Sequence, residues 1–489
     1  MGSCGAAIRT LDNLSNVAVR NVGPHKGRLP GARRVVGFGF QDVKGARMAT
    51  AQTPAMADIH SGEHGHDQAS PGEIAIGVII GRTSEFFDFF VYAIASVIVF
   101  PRLVFPFTSE LTGTLYAFMI FALAFIARPI GTVIFMTVDR EYGKTAKLVS
   151  ALFLLGTATV ALAFLPGYHE IGSAAIWLLA LARIAQGLAW GGAWDGMASL
   201  LALNAPPSQR GWYAMVPQLG APLGLIVASA LFAYFAGNLS ADDFFDWGWR
   251  YPFFVAFAIN VVALFARLRM VTTEEYASLF ETRELQPSRI SETVAREGQN
   301  IMLGAFAPLA SFALFHMVTV FPLSWVFLFT RESPVRFLII EIVAAVFGVA
   351  AIVASGVIAD RVGRKPLLMG SAIAIAVYSG FAPQLLDAGA FGETIYMVIG
   401  FILLGLSFGQ SSGAIASNFK QAYRYTASAL TSDMAWLFGA GFAPLVALLL
   451  ATNLGVIASG AYLLSGAFWT LLALWLSGQR EAGDMDAGA

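Results

Sequence analysis

One cysteine in 489 residues, Cys4, leaves no partner for a disulfide within the chain and rules out a multi-cysteine metal site. Charge is nearly as scarce: Asp, Glu, Lys and Arg make up 12% of the residues, about half the share of a soluble domain. Most of the chain therefore cannot face water. No GxxxxGK[ST] phosphate loop occurs, which excludes a P-loop ATP motor, and no HExxH stretch marks a metallohydrolase. No enzyme activity, cofactor, metal or nucleic-acid partner is expected. Ten-residue stretches of alternating polarity, the mark of an outer-membrane barrel, are missing too.

Apolar sequence in long blocks is what remains. Hydrophobic residues form 57% of the chain and the mean hydropathy is +0.68. From Glu73 to Ser477 the blocks follow one another at lengths near the ~20 residues that cross a ~30 Å hydrocarbon core. Twelve spans are read, at 74–100, 112–136, 148–166, 174–203, 212–236, 249–270, 301–330, 335–359, 367–386, 394–419, 427–450 and 455–477. The expected fold is an all-α polytopic membrane protein with two pseudo-symmetric six-helix bundles, 73–270 and 301–477. A polar cytoplasmic linker, 271–300, joins them, and 478–489 form a cytoplasmic tail. Residues 1–72 read as a disordered N-terminal tail. Within it, 1–47 are either upstream of a true start at Met48 or Met56 or a genuine extension. His60, His64 and His66 read as part of that flexible tail rather than as a metal site.

Two internal repeats support the halving. GVIADRVGRK (Gly356 to Lys365) has a degraded copy, GTVIFMTVDREYGK, beginning at Gly131, so Asp139 and Asp360 correspond. GLAWGGAWDGMAS (187–199) likewise corresponds to GLSFGQSSGAIAS (405–417). Parallel repeats about an axis along the membrane normal are one plan for secondary transporters. Lys and Arg gather on one set of loops, including Arg140, Lys144, Lys147, Arg210, Arg361, Arg364, Lys365, Lys420 and Arg424. The positive-inside rule then puts both termini and both basic turns in the cytoplasm, in a cell inner (plasma) membrane.

The motifs resemble the major facilitator superfamily, and within it the metabolite:H⁺ symporter group. EFFDFFVY (Glu85 to Tyr92), ARPIG (Ala127 to Gly131), RIAQGLAWGG (Arg183 to Gly192), RGWYAMVPQLGAPLG (Arg210 to Gly224) and WGWRYPF (Trp247 to Phe253) carry the resemblance, in order. The chain departs from the pattern at Ala193-Trp194, where a Glu-Trp is usual, at Asn204, and in an extra residue between Asp139 and Gly143. The resemblance implies proton-coupled uptake of a small organic solute by alternating access, most simply a carboxylate, with the lipid bilayer as surroundings and a monomer as functional unit. An efflux antiporter of the same fold and an importer of zwitterionic osmolytes are the alternatives.

A charge at mid-membrane costs about 2.5–3.5 kcal/mol on insertion scales, so each one needs a partner, a cavity or a task. Arg82, Glu85 and Asp88 lie at i, i+3 and i+6 on the first helix, with Tyr92 a turn beyond. Arg183 on the fourth helix lies about 14 Å from its outer end, with Gln186 and Trp190 following on the same face. Arg183, Gln186, Tyr92, Trp190, Gln410 and Trp325 are the candidate substrate contacts. Asp88, Glu85, Glu341 and Asp433 are the candidate proton-coupling groups, because a carboxyl whose exposure and neighbours change exchanges a proton. Asp139, Arg140, Arg128, Asp360, Arg361, Arg364 and Lys365 are the candidate inner gate. Arg128 is expected to pair with Asp139 or Asp195, and Arg183 either to meet an anion in the central cavity or to be neutralised by Glu85 or Asp88 as a buried ion pair.

Overall fold

A computed structural model describes residues 71–193, 201, 205–271, 286–330, 332–416 and 419–487. The expected tail up to residue 70, with its histidines and alternative starts, lies outside them, as do Trp194, Asp195, Asn204 and 272–285 of the expected linker. Among the described residues there is helix and no strand. Ten helices are long and apolar enough to cross a membrane. One of these, Glu110–Ala163, is two crossings, because Gly143 breaks it at φ 85°. Pro71–Ile98 adds a further crossing in spite of Arg82, Glu85 and Asp88. The twelve are α1 (Pro71–Ile98), α2 (110–142), α3 (144–163), α4 (Ala174–Gly192), α5 (Arg210–Asn238), α6 (Gly248–Phe265), α7 (Leu309–Phe329), α8 (Pro334–Val362), α9 (Arg364–Asp387), α10 (Gly389–Ala414), α11 (Arg424–Leu454) and α12 (Val456–Ser477).

Each sequence repeat has a backbone cause. Gly143 and Gly363 adopt φ of 85° and 96° in the two basic turns, a conformation that penalises any residue with a Cβ. The extra residue in the first turn is absorbed before that glycine, so both turns reverse the chain alike. Gly187 and Gly405 correspond in the second repeat, and both sit where two helices nearly touch. A Cβ on Gly187 would overlap the Ala124 backbone of α2, and one on Gly405 would lie 2.6 Å from the Ala351 Cβ of α8. Small residues permit such approaches where no hydrophobic effect separates helix from lipid. Gly187→Leu is expected to cost at least the ~3 kcal/mol upper end of overpacking penalties and to abolish the monodisperse peak in size-exclusion chromatography. Gly370→Leu, at a position with nothing within 4 Å of the added Cβ, should leave that peak intact.

Burial separates the axis of the molecule from its lipid face. Residues 86–100 of the α1 region and 307–326 of the α7 region are buried throughout. By contrast α6, α9 and α12 expose Val262, Phe265, Ile373, Val377, Phe468 and Trp475, which suits contact with acyl chains. The halves meet where α5 packs on α8 and α2 on α11. Between them Phe86, Phe90, Phe312, Phe315, Phe408 and Trp436 interlock, with Phe90 and Phe315 stacked at 5.7 Å and Phe315 against Trp436 at 5.1 Å. Trp436 opens a π-helical turn, Trp436–Gly441, whose glycines admit side chains from other helices. A Cβ at Gly441 would come within 2.9 Å of Phe125.

Two boundaries differ from the sequence reading. The last part of the expected linker is helical: Ile290–Phe306 buries Thr293, Glu297, Ile301 and Ala305, one residue per turn, against the start of α11. Ser288 N–H donates to Thr426 Oγ1 at 2.9 Å and Tyr423 Oη to Glu292 at 2.6 Å, which dock it there. A stripe of one buried residue per turn in polar sequence makes a surface helix rather than a loop. The expected tail after 477 continues the last helix to Ala487.

Candidate solute site and gate

Asp88 stands at the centre of a polar network inside the first half. Thr159 Oγ1 donates to its Oδ1 at 2.5 Å, Asn260 Nδ2 to the same oxygen at 3.4 Å and Gln186 Nε2 to Oδ2 at 3.4 Å. Ser84 Oγ in turn donates to Asn260 Oδ1 at 3.1 Å. Four helices, α1, α3, α4 and α6, thus converge on one carboxyl. Gln186 bridges this network to Arg183, accepting from Nη1 at 3.2 Å, while Arg183 Nε donates to the Phe121 carbonyl at 3.3 Å. The expected ion pair is therefore indirect. An amide stands between guanidinium and carboxyl, and Arg183 makes no salt bridge with any described residue.

Rings enclose the guanidinium. Its Cζ lies 4.0 Å from the Tyr92 ring centre, 4.7 Å from Phe121, 4.9 Å from Trp190 and 5.8 Å from Phe89. Such cation–π contacts partly offset the loss of water around a buried cation. Arg183 Nη2, Tyr92 Oη and Trp190 Nε1 are all buried and have no hydrogen-bond partner. Three polar atoms left unsatisfied around one box is far from the usual state of a packed interior.

Glu85 is not in this box. It pairs with Arg82, one turn earlier on its own helix, at 2.5 Å. Helical spacing puts both Glu85 and Arg183 near mid-membrane but cannot say which way Glu85 turns, and its nearest cation wins. Trp325 is also elsewhere: its Nε1 donates to Asp387 at 2.7 Å at the end of the bundle opposite the basic turns. Gln410 lies towards the basic-turn end, donating to the Gly211 carbonyl at 3.1 Å and to Ser355 Oγ at 3.3 Å. Glu341 faces the other half, accepting from Ser229 Oγ on α5 at 2.9 Å with its second oxygen unpartnered.

The gate residues divide into those that cross between the halves and those that do not. Asp360 accepts from the Gly211 and Trp212 N–H groups at the start of α5, at 2.6 and 3.0 Å, where orphan donors and the helix dipole favour a carboxylate. Its counterpart Asp139 faces the start of α11, where Tyr425 stands in place of Gly211, and meets the phenol Oη at 3.3 Å. Asp139 also pairs with Lys147 at 3.3 Å, and Lys147 reaches Tyr425 Oη at 2.8 Å. Arg128 pairs with Asp433 of α11 at 2.8 Å, not with Asp139, and Thr132 Oγ1 holds the other Asp433 oxygen at 2.5 Å. Asp433 is thus half of a cross-bundle ion pair. Arg140 is exposed and, among the described residues, reaches Thr137 of its own turn, and Arg361 is exposed. Arg364 donates to the Gly413 carbonyl at 2.7 Å inside its own half, and Lys365 is half-buried beside it.

Thr159, Asn260 and Tyr425 are not among the residues singled out from the sequence, and Lys147 enters there only as a loop charge. Thr159 and Asn260 are polar residues in otherwise apolar spans, and that signal was there to be followed. GLSFG and GQSSG at 405–413 spell a nucleophile elbow, but Ser407 and Ser411 lie along α10 and donate to the Leu403 and Phe408 carbonyls. No strand-to-helix turn presents either hydroxyl.

Comparison with known proteins identifies the family. The sequence profile of the Major Facilitator Superfamily matches residues 78–444. The chain is 34% identical over 417 residues to the inner membrane metabolite transport protein YhjE of Escherichia coli K12, covering 83% of this chain and 94% of that protein. It is 31% identical to a putative metabolite transport protein of Haemophilus influenzae, covering 85% and 98%. It is 28% identical to the shikimate transporter of Escherichia coli K12, covering 77% and 87%. Among solved structures, a D-xylose-proton symporter superposes with a TM-score of 0.61 at 19% identity, covering 82% of this chain and 96% of that one, a likeness of fold.

Proposed function

This chain belongs to the Major Facilitator Superfamily and is a multi-pass membrane transporter of metabolites; from that premise, we propose that it takes up a carboxylate-bearing metabolite together with a proton, through Arg183 and Asp88. The observation that carries this reading is the buried Arg183, which has no ion-pair partner among the described residues and one Nη group without a hydrogen bond inside an aromatic box. A guanidinium offers a planar fork of donors suited to a carboxylate, and an unpaired buried cation is costly until an anion arrives. Tyr92 Oη and Trp190 Nε1 supply further donors around it.

Asp88 supplies the coupling. Beyond the hydroxyl and amide donors of Thr159 and Asn260, its charge is balanced by the Arg183 guanidinium, to which Gln186 links it. A solute carboxylate on Arg183 competes for that balance, so anion and proton bind cooperatively, and such coupling is reciprocal. The metabolite and shikimate transport named in two relatives, and the proton symport named in the solved neighbour, support this reading. The contacts of Asp360, Asp139 and Arg128 then form the inner gate on the cytoplasmic side of an inner membrane, with both termini cytoplasmic. One chain, with its single complete bundle pair, is the working unit.

The test is accumulation of a labelled carboxylate in proteoliposomes under an imposed inward proton gradient. The wild type should accumulate solute above equilibrium only with the gradient. Asp88→Asn should lose gradient-driven accumulation yet keep solute exchange between preloaded vesicles and medium. Equal accumulation with and without the gradient would refute proton coupling.

A further inference from the structure

His316 lies on α7, the second half's contribution to the same aromatic box. Its ring stacks on Phe89 at 5.3 Å and 21°, and meets Phe121 edge-on at 5.3 Å and Phe125 at 5.8 Å. Phe89 and Phe121 are two of the rings that hold Arg183. His316 is completely buried, and its Nε2 has no hydrogen-bond partner.

The tautomer follows from its one polar neighbour. Thr319 Oγ1 donates its only proton to the Phe315 carbonyl at 2.8 Å. Towards His316 Nδ1, 3.3 Å away, it can therefore only accept, so Nδ1 carries the hydrogen. A second cation beside Arg183, with no carboxylate in contact, would be uncompensated, so the imidazole is neutral. Nε2 is then a bare lone pair: an acceptor in a box whose other unsatisfied groups, on Arg183, Trp190 and Tyr92, include the donors that suit a carboxylate. A buried acceptor left unpaired costs about 1–3 kcal/mol, which a ligand donor would recover.

We infer that His316 Nε2 accepts a hydrogen bond from a hydroxyl group of the transported solute, which makes the preferred substrates hydroxylated carboxylates. This rests on the carboxylate reading above. An ammonium would also donate, but it would sit beside the Arg183 guanidinium with no carboxylate among the described residues in contact with His316, which disfavours zwitterions. A site built to hold a hydroxyl discriminates strongly against the analogue without one, because the analogue leaves its acceptor unpaired.

The experiment measures dissociation constants of the purified full chain for matched pairs: benzoate against 3- and 4-hydroxybenzoate, cyclohexanecarboxylate against its 3- and 4-hydroxy derivatives, and propionate against lactate. In the wild type at least one hydroxylated member should bind about tenfold or more tighter than its parent. His316→Phe should reduce that preference to within about twofold, since the acceptor for the hydroxyl is removed. His316→Gln, which keeps an acceptor and can still be read if the phenylalanine variant misfolds, should retain part of the preference. Equal binding of parent and hydroxylated acids by the wild type, or an undiminished preference in both variants, overturns the inference and leaves the carboxylate reading standing. Failure of every carboxylate to bind, with binding of an uncharged or cationic solute instead, overturns both.

Discussion

Arg183→Gln is expected to weaken carboxylate binding by at least about 100-fold and to abolish uptake, while the folded protein keeps its size-exclusion profile and nearly its melting temperature. The size of the effect follows from what the guanidinium supplies. Hydrogen bonds to a charged group contribute about 1.5–3 kcal/mol each, so the two that a planar fork gives to a carboxylate amount to a hundredfold or more. Stability responds differently, because Arg183 is a desolvated cation without an ion-pair partner among the described residues, held by one carbonyl, one amide and rings. Removing such a group gives back desolvation energy, which offsets the two hydrogen bonds and the ring attraction that go with it. Arg183→Lys should rescue little, since an ammonium cannot reach both the Phe121 carbonyl and Gln186 in one plane. A variant that bound and moved carboxylates like the wild type would remove the anion site from this box altogether.

The features legible in the sequence were those that a single helix or a repeat encodes. The twelve spans follow from hydropathy, and the two repeats mark corresponding segments of the halves, where Gly143 with Gly363 and Gly187 with Gly405 make equivalent turns and crossings. Arg183, Gln186, Tyr92 and Trp190 share one box because spacing along α4, with the charged face of α1, already put them on facing surfaces. Spacing cannot give rotation about a helix axis relative to a neighbour, nor which residues of a span reach the box. Glu85 turns to Arg82, Trp325 to Asp387, and Gln410 to the start of α5. Partners across the two halves are hidden for the same reason. Arg128 and Asp433 are 305 residues apart, and nothing in the chain between them records that they meet.

That pair is also the place where a small change should move the whole molecule. Arg128 and Asp433 join α2 to α11, their side chains 11% and 3% exposed, with Thr132 Oγ1 on the second carboxylate oxygen and the guanidinium 5.8 Å from the Trp436 ring centre. Breaking a buried ion pair on one side costs about 3–5 kcal/mol, because the survivor is left charged in a low-dielectric seam. Separating the halves lets water reach the survivor, so that cost falls on the closed arrangement and not on the open one. Asp433→Asn or Arg128→Gln should therefore shift the population at the basic-turn end from closed to open by two decades or more, by about 1.4 kcal/mol per decade. Spin labels at positions 140 and 420, both exposed and on opposite halves, would read the shift as a longer distance. Only Cys4 needs replacing to give a cysteine-free background. The double variant Arg128→Met with Asp433→Leu decides the cause, since it removes both charges while keeping apolar volume in the seam. If the short distance returns, the isolated charge opened the single variants; if it stays long, the ion pair itself, and not merely the avoidance of a lone charge, holds this end shut.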